Sequence, residues 1–68
     1  MISLTIEVAQ EEDGRWMAEV VELSGVMVYG QSPQDAMRKA KSLALRVLAD
    51  QIAASKQDDL DSIRFTPA

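Results

Sequence analysis

The chain has 68 residues, a net charge of −4 and neither cysteine nor histidine. That length suits one small domain spanning 1–68, with no disulfide and no Cys/His zinc site to staple it. An acidic balance of 11 carboxylates against 7 cations disfavours nucleic acid as a direct partner, because phosphate binding needs a basic face, and suits a basic protein instead.

The first residues set the pattern. Ile2, Leu4, Ile6 and Val8 alternate with Ser3, Thr5 and Glu7, the period of a strand with one buried face. This start lacks the basic leader and long apolar core of a signal peptide, and no run reaches membrane-spanning length. The expected compartment is the cytoplasm, with no membrane partner.

Gln10–Gly14 ends in Asp-Gly, a hairpin signal, so 15–22 is predicted to return as a second strand. Trp16, Ala18 and Val20 then share one face, and Met17, Glu19 and Val21 the other. Pairing Ile6 with Val20 sets Glu7 opposite Glu19. Glu22–Gly25 makes the next turn, and Val26–Tyr29 a short third strand that Gly30 ends.

Ser32 is placed to cap a helix, with Pro33 at its first position and Asp35 at its positive end. Ala36, Met37, Ala40, Leu43, Ala44, Val47, Leu48 and Ile52 form an apolar stripe that carries the helix to between Ala54 and Lys56. Arg38, Lys39, Lys41, Arg46 and Asp50 fall mostly outside it. Gln57–Asp61 reads as a loop and Ser62–Thr66 as a last strand. The predicted fold is α+β, a two-layer β-β-β-α-β sandwich with one helix on a mainly antiparallel sheet. A right-handed crossover lays the last strand parallel to the first, in spatial order 3-2-1-4. Trp16, Val20, Ile6 and Leu43 are expected to be deeply buried.

Little in the chain suggests chemistry. Glu7 and Glu19 form a carboxylate pair without an aligned third ligand, so a metal site is disfavoured. Glu11, Glu12 and Asp13 are consecutive rather than alternating, unlike a calcium loop. The serines have no histidine to act as base, and Lys39 and Lys41 lie on a wet helix face. The glycine pair at 25 and 30 lacks the Lys-Ser or Lys-Thr of a phosphate loop. No catalytic, metal or cofactor residue is assigned, and the protein is expected not to be an enzyme.

Apolar residues on the uncovered face carry the main functional expectation. Met17, Val21, Met27 and Tyr29 fall there on adjacent strands, as in a contact patch. A helix from Pro33 to about Ala54 is roughly 33 Å long, against roughly 20–26 Å for strands of six to eight residues. It is expected to overshoot the sheet and leave Leu48 and Ile52 partly wet. These six residues are the expected partner or oligomer interface, and two apolar surfaces predict a homo-oligomer, dimer or tetramer.

The segment DGRWMAEVVELSGVMVYGQSPQDAMRKA resembles the core of the HicB-like antitoxins. The shared features are Asp13, Gly14, Trp16, Ala18, Glu22, Leu23, Gly25, Val26, Gly30, Ser32 and Ala36, with Ala40 continuing the helix. Val21 and Ser24 stand where that family has prolines, and Asp35 where it has Glu. The resemblance implies a partial ribonuclease H-like β-β-β-α-β fold without nuclease activity. It further implies a protein that binds and inhibits a HicA-like toxin, a small basic mRNA-cleaving ribonuclease. Many members add a C-terminal DNA-binding domain; here the sequence stops after the last strand, so direct operator binding is not expected.

Overall fold

A computed structural model describes residues 1–55 and 61–68. In chain order the elements are β1 (Ile2–Gln10), β2 (Trp16–Val20), β3 (Met27–Gly30), α1 (Pro33–Ser55) and β4 (Ile63–Pro67). The expected loop at Gln57–Asp61 lies, apart from Asp61, outside the described residues.

The strands form one mixed sheet in the order β3-β2-β1-β4. β2 is antiparallel to both β1 and β3, and β4 is parallel to β1. Ile6 stands opposite Val20 and Glu7 opposite Glu19, the register that the Asp-Gly hairpin and the alternation predict. Gly14 closes that hairpin at φ +92° and Gly25 the next turn at φ +84°, a region that penalises any side chain.

β2 ends at Val20, short of the predicted Glu22, and the cause is a side-chain bond back to β1. The Val21 N–H still donates to the Thr5 carbonyl at 3.0 Å. The Thr5 N–H instead donates to Glu22 Oε1 at 2.7 Å, and the Thr5 hydroxyl meets Oε2 at 2.8 Å. A side-chain carboxylate thus replaces the next backbone acceptor while the chain turns through Leu23, whose N–H reaches the Val20 carbonyl at 3.1 Å. These Thr5 bonds, the backbone one first, hold the Glu22 carboxyl below its usual range.

Ser32 caps α1: its Oγ accepts from the Asp35 N–H at 3.0 Å. Asp35 reaches back, its Oδ2 accepting from the Gln31 N–H at 3.1 Å, much as in a capping box. Arg38 and Lys39 pair with the same carboxylate one turn on. The Gln31 N–H first, then these two cations, lower the Asp35 carboxyl to about 2. Gly30, expected only to let the backbone bend, is buried without a positive φ. A Cβ there would lie 2.5 Å from the Ala36 nitrogen, so the end of β3 and the start of α1 can approach only across a glycine.

The helix lies over β2 and β3, with β1 at its flank. Ala36, Ala40 and Ala44 are fully buried, and Leu48 continues their line at every fourth residue. Opposite stand Leu4, Ile6, Ala18, Val20 and Val26. Two expected core residues, Val20 and Ile6, are there. Trp16 and Leu43 are not: both are only half-buried and flank the core. The alanine line explains this, because small side chains draw helix and sheet together and leave bulkier residues at the margins. Leu48, expected partly wet on an overshooting end, is 6% exposed and belongs to the core; Ile52 is half-buried. No helix among the described residues is long and apolar enough to cross a membrane.

Candidate functional site: the open sheet face

Alternation sends one half of each strand to the side without a helix. The register sets Ala9, Met17 and Tyr29 in one row across β1, β2 and β3, and Glu7, Glu19 and Met27 in the next. Val21 follows just beyond β2. On β4 the same face carries Arg64 and Thr66, opposite Ser3 and Thr5. The face is therefore divided: apolar over β2 and β3, polar over β1 and β4, with Glu7 and Glu19 at the seam.

The apolar half is open to solvent. Val21 is 51% exposed, Met27 50% and Tyr29 40%, while Met17, flanked by Ala9 and Tyr29, is half-buried. Single exposed apolar residues are ordinary; four neighbours on two strands and the adjoining turn make a contiguous patch. At one end the Arg15 guanidinium lies 4.3 Å from the centre of the Tyr29 ring. Asp13 fixes that arginine, Oδ2 accepting from Arg15 Nε at 2.7 Å and Oδ1 from the Arg15 N–H at 3.0 Å. The backbone bond first, then the guanidinium, keep the Asp13 carboxyl below its usual range. Together Glu11, Glu12, Asp13, Arg15 and Tyr29 line a shallow depression of about 390 Å³ at the hairpin tip.

The structure thus brings together four of the six expected interface residues, Met17, Val21, Met27 and Tyr29. Leu48 is withdrawn into the core, and Ile52 sits far along α1. Glu7 and Glu19 are cross-strand neighbours, and among the described residues no group of three or more potential metal ligands occurs. Such a surface can bind through its apolar rows and select charge through its acidic seam.

One feature is not anticipated from the sequence. A groove of about 310 Å³ runs between β3 and α1, lined by Val28, Arg38, Lys39, Ser42, Leu43 and Arg46. Arg38, Ser42 and Arg46 recur at every fourth residue, a stripe that repeats the alanine spacing on a neighbouring side of the helix. That spacing is the signal that reading these residues as a solvated face passes over.

Comparison with protein-family models, with curated proteins and with solved structures returned no match.

Proposed function

We propose that this chain is a protein-binding module of the HicB-like antitoxin kind. Its open sheet face would dock on a small basic mRNA-cleaving toxin and block it, with no catalytic step and no cofactor of its own. The observation that carries the reading is the exposed Val21, Met27 and Tyr29 patch bordered by Glu7 and Glu19. A basic partner would be steered by the carboxylates and held by the apolar rows. The segment from Asp13 to Ala40 supports the same reading through its resemblance to that family. So does a two-layer β-β-β-α-β order compatible with a partial ribonuclease H-like unit. The site of action under this reading is the cytoplasm, and the free protein is expected to be a dimer or tetramer.

Co-expression with a small basic protein encoded beside it tests the proposal. The expected outcome is relief of that protein's toxicity and a complex that co-purifies, both lost in the Val21→Lys, Met27→Glu double variant. No complex and no relief would reject the antitoxin reading. If the free chain then sediments as an oligomer that the same double variant dissociates, the face serves self-assembly in a structural or regulatory domain. A 7.5 kDa species at about 100 µM, above the Kd of an ordinary specific interface, would reject the oligomer.

A further inference from the structure

β3 is an edge strand, since the sheet order is β3-β2-β1-β4. The Val20 N–H donates to the Val26 carbonyl at 3.0 Å, and Val28 and Gly30 stand opposite Ala18 and Trp16. In an antiparallel ladder the alternate residues, Met27 and Tyr29, turn their N–H and C=O groups away from β2. Val28 of β3 lines the groove, and Leu43, Arg38, Lys39 and Arg46 line it from the helix. The hydrogen-bonding edge and the basic wall thus adjoin on a chain whose net charge is −4.

We propose that this edge and groove take an acidic, extended segment of a partner protein as an additional strand beside β3. Strand addition supplies the backbone bonds, and alternate side chains supply specificity. The dimensions agree. Arg38 and Arg46 are eight residues apart on a helix, about 12 Å. Four residues of an extended strand span about 13 Å. Carboxylates at alternate positions of the incoming strand therefore match the basic wall along its length. Its intervening apolar side chains would then fall on the open face beside Met27 and Tyr29. Asp35 already pairs with Arg38 and Lys39 and offsets one of the three charges; Arg46 has no ion pair among the described residues. A second copy of this chain is a poorer occupant, because two-fold pairing of β3 with itself would bring the Arg38–Arg46 walls of both copies together. The basic wall lies on the helix side of the sheet and carries the opposite charge to the open-face patch assigned to a basic toxin, which the added strand would border at Met27 and Tyr29.

Fluorescence anisotropy with a labelled heptapeptide alternating Glu and Val tests the inference. Binding should be saturable, weaken as salt rises, and fall about tenfold in Arg46→Glu, a charge reversal worth roughly 1.4 kcal/mol. Circular dichroism confirms that the variant is folded. A peptide alternating Glu and Pro keeps the charge but lacks alternate N–H donors, and should not bind. Failure of the Glu/Val peptide to bind at millimolar concentration would overturn the proposal. So would equal binding of both peptides, or full binding by Arg46→Glu. Tighter binding of a single-stranded RNA dodecamer would overturn it in favour of a phosphate-binding surface.

Discussion

The two faces of the sheet are built from the same strands, yet only one of them is met by a helix, and that helix meets it through small side chains. Beneath the helix Ala18 is fully buried in the same core as Ala36, Ala40 and Ala44; one residue along, Met17 on β2 and Met27 on β3 lie on the open side. Ala36, Ala40 and Ala44 of α1 let the helix approach Leu4, Ile6, Val20 and Val26 closely. The open face leaves Met27, Tyr29 and Val21 exposed to solvent. Under the proposed function, that exposed area is what a partner covers.

That contrast can be broken or sharpened by substitution. The largest effect is expected on the covered face, where Ile6→Ala should remove about 2–5 kcal/mol of stability, read from the urea midpoint. Gly30→Ala should follow at about 1–3 kcal/mol, because its Cβ would be pressed against the backbone of Ala36 and would lift the helix start from the sheet. Leu43→Ala should cost less than the Ile6 change, about 1–2 kcal/mol, since its side chain is only half-buried at the margin. On the open face, Val21→Lys with Met27→Glu should change thermal stability by no more than about 0.5 kcal/mol per site while altering association. A comparable loss of stability from both faces would erase the distinction between them.

The smallest effect concerns the cap of α1. The Asp35 carboxyl is depressed from 3.8 to about 2 in the folded protein, so its contribution is complete above 3.8 and disappears as pH falls towards 2. An Asp35→Asn variant should show a flatter stability profile than the parent between about pH 4 and about pH 2. Identical slopes would mean that the cap does not anchor α1.

Much of this was legible in the residues themselves. The Asp13-Gly14 turn and the alternation of Ile2 to Val8 give the β1–β2 register, and Ser32, Pro33 and Asp35 mark the helix start to the residue. What escaped was depth. Ranking by size puts Trp16 and Leu43 innermost, whereas the alanine line puts them at the rim: a stripe shows which side of a helix is buried but not how near its partner lies. The same limit turned Leu48 from an expected contact residue into a core residue. The end of β2 was hidden for another reason, since the Glu22 carboxylate takes the Thr5 N–H and nothing in local propensity announces a bond across seventeen positions. The patch at Met17, Val21, Met27 and Tyr29 followed from period two alone; the basic groove needed β3 and α1 to be set side by side.

The parallel pairing of β1 with β4 has a consequence for how the protein comes to be. Ile2 lies beside Ile63 and Leu4 beside Phe65, so β1 waits for a strand made only after α1. During synthesis the β1–β2 hairpin and α1 can assemble from near neighbours while the far side of β1 remains open. That side belongs to a run of Ile, Leu, Ile and Val at alternate positions, a sequence well suited to pairing with copies of itself. Until residues 63–67 arrive, the nascent protein carries an aggregation hazard. Once in place, β4 brings Arg64 and Pro67 to the new edge, a charge and a missing donor that discourage further strands.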